Sequence, residues 1–174
     1  MDADELRTLQ APIKEHYRSD PGAALVTLHA EGRLGEDLSC SVQTGRALVE
    51  AGLHPATGGD GLQACSGDML LQALSACAGV TIRSVATALG IRVGGSVRAD
   101  GDLDFRGTLG VDKTVPVGFT DIRLSFELET DASEELLDTL LRLTERYCVV
   151  LQTLAHTPRL SATIVRASAP PEIT

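Results

Sequence analysis

The sequence predicts a mixed α+β domain, and three stretches carry that prediction. Ser66 to Ile91 reads SGDMLLQALSACAGVTIRSVATALGI, with Met69, Leu70, Leu71, Leu74, Val80, Ile82, Val85 and Leu89 pointing in every helical direction. A helix that is apolar all round is normally buried all round, so this segment is expected to be a central helix wrapped by other structure. Phe119 to Thr130 alternates Ile122, Leu124, Phe126 and Leu128 with Arg123, Ser125, Glu127 and Glu129. That period of two describes a strand in a sheet with one wet face. Beyond it, ELLDTLLRLTERYCVVLQTLAH returns to helical spacing and gives a second long helix.

Taken in order, residues 1–22 read as an N-terminal helical arm, polar around Pro12 and ending at Asp20-Pro21-Gly22. Ala24–Ala30 and Leu38–Thr44 have strand-like residues around the turn-rich EGRLGED, which predicts a first hairpin with Arg33 at its tip and Cys40 on its second strand. Arg46–Leu53 reads as a short helix. His54–Gly61 is a loop by its Pro and Gly content, a flexible entrance that lacks the GxxxxGK[ST] pattern of a phosphate cradle. The long helix starts with Ser66 as N-cap and Asp68 in the first turn, where the helix dipole favours negative charge, and stops at Gly90. Its 24 residues span roughly 36 Å, and Gln72, Ser75, Arg83 and Thr87 make it too polar to cross a bilayer comfortably.

After Gly90, IRVGGSVRADGDLDFRGTLG suggests one or two strands with a bend near Gly94-Gly95. Asp131 with Glu134 resembles a capping box at the start of the second helix. Along that helix Leu137, Leu141, Thr144, Cys148, Leu151 and Ala155 share one face. Thr157-Pro158 ends it, Arg159–Ala167 reads as a last short strand, and residues 169–174 form a tail with nothing to bury. The order is strands, central helix, strands, second helix, strand, with one domain over residues 23–168.

Composition narrows the partners. A chain of 174 residues suits a single core, and the absence of Trp with 3% aromatic residues makes that core aliphatic. A formal charge of −9 repels phosphate backbones and anionic membrane surfaces, so neither nucleic acid nor a membrane is expected. The opening MDADELRTLQ has acidic residues where a signal peptide has basic ones, and the cytoplasm is the expected compartment. Cys40, Cys65, Cys77 and Cys148 form no CxxC pair, and His54 with Cys40 and Cys65 matches no ligand spacing, so no metal is expected. Cys65, just ahead of the long helix, reads as a loop thiol or an alternative resolving one.

Cys77 and Cys148 each sit near the middle of a long helix on an apolar surface. The residues alone leave two readings open. Free cysteines are common core residues, whereas a reactive pair needs a lowered pKa at one thiol and a second thiol within reach.

With these motifs in place the chain resembles the OsmC/Ohr family of osmotically inducible and organic hydroperoxide resistance proteins. SGDMLLQALSACAGVTI matches the family's small-small-Cys helix. VRADGDLDFRGTLGVDKTVPVGFTDIRLSFELETDASEELLDTLLRLTERYCVVLQTL matches its sheet strands and second cysteine helix. The resemblance covers residues 60 to 166. It implies two long central helices flanked by antiparallel sheets in an intertwined homodimer. It also implies a two-cysteine peroxidase, in which Cys77 attacks an organic hydroperoxide and Cys148 resolves the sulfenic acid. No bound cofactor is implied, only an external dithiol reductant such as a lipoyl group. Arg33 is the candidate to hold the thiolate and Asp68 the nearest carboxylate to orient that arginine. Two positions depart from the family pattern: Gly67 stands where the peroxidases have glutamate, and Val149 follows Cys148 where proline is common. The latter suggests an unbroken second helix. The departures also support an alternative reading, a non-catalytic dimer that binds a small apolar ligand in its interface pocket.

Overall fold

Residues 2–20, 32–34, 40–44 and 47–166 are described by the structure, a computed structural model. Helix α1 (Ala3–Ser19) is the expected arm, opened by a capping box in which Asp2 accepts from the Glu5 amide and Glu5 accepts from the Asp2 amide. The strands β1 (Gly32–Leu34), β2 (Cys40–Thr44), β3 (Ala47–Gly52) and β4 (Ala64–Cys65) form a sheet in that order, antiparallel except for the parallel β3–β4 pair. Helix α2 (Ser66–Leu89) follows, then β5 (Gly94–Leu103), the one-turn helix α3 (Phe105–Thr108) and β6 (Phe119–Glu129). Helices α4 (Glu134–Tyr147) and α5 (Val149–Ala155) complete the chain.

The mixed α+β reading holds, with several corrections. Arg33 is not at a hairpin tip but inside β1, opposite Ser41; the strand expected over Ala24–Ala30 lies outside the described residues, as does the tail. The short helix expected from Arg46 to Leu53 is strand β3, because Ala47–Ala51 pairs along β2 from Thr44 to Cys40 and Ala51 pairs with Ala64 on the other side. Ladder pairing on both edges overrides the helix propensity of ALVEA. The entrance loop is partly ordered, with a 3-10 turn at Pro55–Thr57 capped by the His54 side chain.

Helix α2 has the predicted ends of its helical span, and Gly90 closes it at φ 71, but its N-cap is Cys65 rather than Ser66 and has no side-chain hydrogen bond. Nor is it buried all round. Leu74, Ala78, Ile82 and Ala86, spaced every four residues, form one buried stripe, whereas Val80 is 72% exposed. By length and mean hydropathy α2 could span a bilayer, yet this stripe packs against protein. Ile82 and Ala86 meet Leu140, with Phe126 and Leu128 of β6 against them. Leu74 and Ala78 meet Cys148, with Val97, Ala99, Ile122 and Leu124 alongside.

The strand β6 alternates as predicted, its apolar residues half-buried and its polar ones exposed, and it pairs antiparallel with β5 from Gly94↔Glu129 to Leu103↔Phe119. On the wet face Arg123 bridges Asp102 across the strands. Helix α4 begins after Ser133, not at Asp131, and no capping box forms. Its buried positions are Leu140 and Thr144 rather than Leu141, which is 44% exposed. The buried Thr144 hydroxyl is satisfied by donating to the Leu140 carbonyl at 2.7 Å. The last predicted strand, Arg159 onward, has no strand partner within the described chain, and its Ile164 and Val165 are 97% and 88% exposed.

Because Leu74 and Leu140 are fully buried, Leu74→Ala or Leu140→Ala is expected to lower the unfolding free energy in urea by about 3 kcal/mol. Leu109→Ala, at a half-exposed loop position, should change it by about 0.5 kcal/mol or less.

Candidate active site

Two of the predicted site residues meet. Cys77 is half-buried on α2, one turn from the buried Leu74–Ala78 stripe, and Cys148 is fully buried in the same cluster. They come together because the second helix is interrupted. The α4 helix ends at Tyr147, Cys148 takes an extended conformation (φ −73, ψ 106), and α5 starts at Val149. This corrects the expectation that valine after Cys148 leaves the helix intact. Burial supplies the break that proline would otherwise impose. The turn at Cys148 lets Val150, Leu151 and Leu154 close onto the cluster containing Leu74, Ile122 and Leu124.

The break also exposes amide donors. Cys148 closes α4 by donating to the Thr144 carbonyl and opens α5 by accepting from Gln152, both at 2.9 Å, and α5 has no side-chain cap. The first amides of a helix lack intrahelical partners, and here those of Val149, Val150 and Leu151 face the two sulfurs. Burial works to raise the Cys77 pKa. It is outweighed by the Val150 amide, the Cys148 thiol and the Val149 amide, which stabilise the anion, so that the Cys77 thiol lies below its ordinary value. The Thr81 hydroxyl is also close, but its proton goes to the Cys77 carbonyl at 2.8 Å, so we give it the smallest part. Burial pushes the Cys148 thiol up, and its hydrogen bond to Cys77 and that neighbour's charge push it further; the Leu151 and Val150 amides offset only part of this. One sulfur is thus favoured as thiolate and its neighbour as thiol, with the Cys148 S–H donating to Cys77.

The other predicted residues are elsewhere within this chain. Asp68 is exposed in the first turn of α2, nine residues and therefore roughly 14 Å of helix rise from Cys77. Arg33 is placed on β1, and its side chain, like that of Cys40, lies outside the described residues. Cys65 borders a separate cavity at the start of α2. Gly67 borders the same cavity, beside the Phe119 ring. A Cβ at Gly67 would lie 3.3 Å from Phe119 Cζ and 3.6 Å from Cys65 Sγ, and one at Gly101 only 2.6 Å from the same ring. A side chain at position 67 would press on the Phe119 ring, which would have to give by a few tenths of an ångström. Sequence reasoning missed the amides of Val149, Val150 and Leu151, since backbone donors appear only once a helix end has been located.

A family model described as OsmC-like protein matches residues 59–163, well over half of the chain. The chain belongs to the OsmC-like family. No curated protein matches it. Among solved structures, the OsmC-like chain is similar to an OsmC-like protein from Mycoplasma pneumoniae (20% identity, 76% of this chain and 89% of that one, TM-score 0.63). It is also similar to an OsmC-like protein of unknown function from Vibrio cholerae (13% identity, 74% and 94%, TM-score 0.57). A third is an organic hydroperoxide resistance protein OsmC from Legionella pneumophila (16% identity, 76% and 91%, TM-score 0.55). At these identities the likeness is one of fold. Helices and small antiparallel sheets in this arrangement are the OsmC-like fold.

The two departures have separable consequences. Val149→Pro keeps the helix break, since proline suits the first helical position and the extended Cys148 suits the residue before it, but removes one amide facing Cys77. The expected outcome is slower alkylation of Cys77 by iodoacetamide at neutral pH and a rate–pH curve moved upward. Wild-type Cys77 should alkylate at lower pH than an ordinary thiol, and the fully buried Cys148 should stay unlabelled until denaturant exposes it.

Proposed function

We propose that this OsmC-like protein is a thiol-dependent peroxidase that reduces organic hydroperoxides to alcohols, with Cys77 as the attacking thiolate and Cys148 as the resolving thiol. The observation that carries the reading is that Cys77 packs against the buried Cys148 in one cluster beside the start of α5, an environment that lowers the Cys77 pKa and raises that of Cys148. A nucleophile and its partner acid divided by environment are the mark of a tuned pair, and a purely structural pair of core cysteines has no need of it.

In this mechanism the Cys77 thiolate attacks the distal oxygen of ROOH. The O–O bond breaks, alkoxide leaves, and Cys77 becomes a sulfenic acid, two electrons more oxidised. The leaving alkoxide takes a proton to give ROH. Cys148, kept protonated until then, attacks the sulfenic sulfur as its proton passes to the departing hydroxyl, which gives water and the Cys77–Cys148 disulfide. An external dithiol reopens that disulfide by thiol–disulfide exchange and is itself oxidised. The aliphatic surround of Leu74, Ile122, Leu124 and Leu151 favours an organic over a water-like peroxide.

The reading includes a homodimer. A sheet of two strands is marginal alone, and among the described residues β5–β6 has two. The segment from Arg159, without a strand partner among the described residues and with exposed Leu160, Ile164 and Val165, and the exposed Val80 on α2, are apolar surface that a second copy would cover. Asp68, too far along α2 to reach Cys77 of its own chain, would act only across that interface, and Arg33 is the cation we assign to the thiolate. A second reading, a non-catalytic dimer holding a small apolar ligand, is favoured by Gly67, which removes the carboxylate of the peroxidases.

The test is to reduce the protein, add cumene hydroperoxide in slight excess, and map oxidised peptides by mass spectrometry with hydrogen peroxide as comparison. A Cys77–Cys148 disulfide forming faster with the organic peroxide is expected, and Cys148→Ser should halt the reaction at the Cys77 sulfenic acid. Survival of both thiols would favour the binding reading.

A further inference from the structure

At the break between α4 and α5 one acceptor changes partner. In a continuous helix each carbonyl accepts from the amide four residues further on, so the Glu145 carbonyl would take the Val149 amide. The Thr144 carbonyl keeps such a partner, accepting from Cys148 at 2.9 Å. The Glu145 carbonyl instead accepts from the Gln152 side chain, with Nε2 at 2.9 Å, while the Val149 amide is turned to the Cys77 sulfur.

Gln152 is bonded on both sides of the break. Its backbone amide donates to the Cys148 carbonyl at 2.9 Å and makes the first hydrogen bond of α5, its own carbonyl accepts from His156 at 2.9 Å, and its side chain reaches back to α4. Among the described residues this is the side-chain hydrogen bond that joins the two helices. The bond from the Thr153 hydroxyl to the Val149 carbonyl, at 2.8 Å, stays inside α5. Packing of Val150, Leu151 and Leu154 on the cluster around Cys148 favours the turn, but a helix that stops leaves its last carbonyls without partners. A glutamine amide placed there satisfies one of them. It also takes from Val149 the acceptor through which that residue would rejoin α4.

We propose that Gln152 is a positioning residue of the thiol pair: by occupying the Glu145 carbonyl it holds the helix break open and keeps the amides of Val149 and Val150 aimed at Cys77. This role rests on the reading of Cys77 as the reactive thiolate and adds the side chain that sustains it. The titratable group facing Cys77 among the described residues is Cys148. Glutamine carries no charge, so another neutral side chain in its place alters the Cys77 thiol through the backbone rather than through a new charge.

Gln152→Met keeps the length and helix propensity of the side chain and removes its donor. The reduced full-length protein is labelled with iodoacetamide over a range of pH, and Cys77 is followed by peptide mass mapping. Gln152→Met should move the Cys77 rate–pH curve upward and slow labelling at neutral pH severalfold, whereas Thr153→Ala should leave the curve in place. Val149→Pro supplies the second background. Proline has no amide to offer the Glu145 carbonyl, and its ring forbids a continuous helix there, so the break no longer needs Gln152. Val149→Pro/Gln152→Met should therefore give the curve of Val149→Pro alone, the non-additivity of two residues acting through one element. A Gln152→Met curve that coincides with wild type, or shifts that add in the double variant, would overturn the proposal. The double variant, whose break proline holds, keeps the second comparison in hand if Gln152→Met folds poorly alone. No peroxide enters this test. A shifted curve in a protein that forms no disulfide with cumene hydroperoxide would end the peroxidase reading and leave the role of Gln152 standing, and an unmoved curve beside a peroxide-driven Cys77–Cys148 disulfide would do the reverse.

Discussion

The close approach of α2 to α4 governs the rest of the structure. On α2 the buried stripe alternates large and small residues, Leu74, Ala78, Ile82 and Ala86, and the alanines admit the facing Leu140 and Cys148. Interiors at this density tolerate little change in volume. The same closeness requires that any polar group at the contact find its partner locally, which Thr144 does through its own helix. It also sets the two cysteines side by side. The thiol pair is thus a consequence of the packing rather than an addition to it.

The interruption at Cys148 converts that contact into chemistry. An unbroken helix would have tied the amides of residues 149–151 to carbonyls one turn back. The extended residue at 148 releases them, and they turn toward sulfur. Val149 makes the point sharply, because its departure from the family pattern adds a donor that proline lacks. Gly67 has the opposite sense, removing a carboxylate beside the Phe119 ring. The Val149 amide supports the Cys77 thiolate, whereas Gly67 borders the cavity at the start of α2.

Among the described residues the single chain leaves apolar surface uncovered at several positions, including Val80 on α2 and the segment after Arg159. An isolated long helix with one buried stripe is less than its composition demands. The all-round apolar pattern of α2 and the strand pattern after Arg159 predict burial and pairing that the described residues of one chain do not show. Periodicity in a sequence marks a face as apolar but does not say what covers it.

What the sequence determined by itself was whatever follows from short-range periodicity and punctuation. The span of α2, its glycine stop, the alternation of β6 and the helical arm up to Ser19 are all legible, because they rest on residues within a few positions of one another. The family pattern around Cys77 and Cys148 was legible for the same reason. Tertiary structure decided the rest. Residues 47–52 became a strand because partners lay on both sides. The second helix broke at Cys148 because Leu151 and Leu154 gain more by turning onto β6 than by continuing straight. Cys77 became the more acidic thiol because a helix end, invisible in the spacing of side chains, turned the Val150 and Val149 amides to its sulfur, while amides at the same end offset only part of the burial of Cys148.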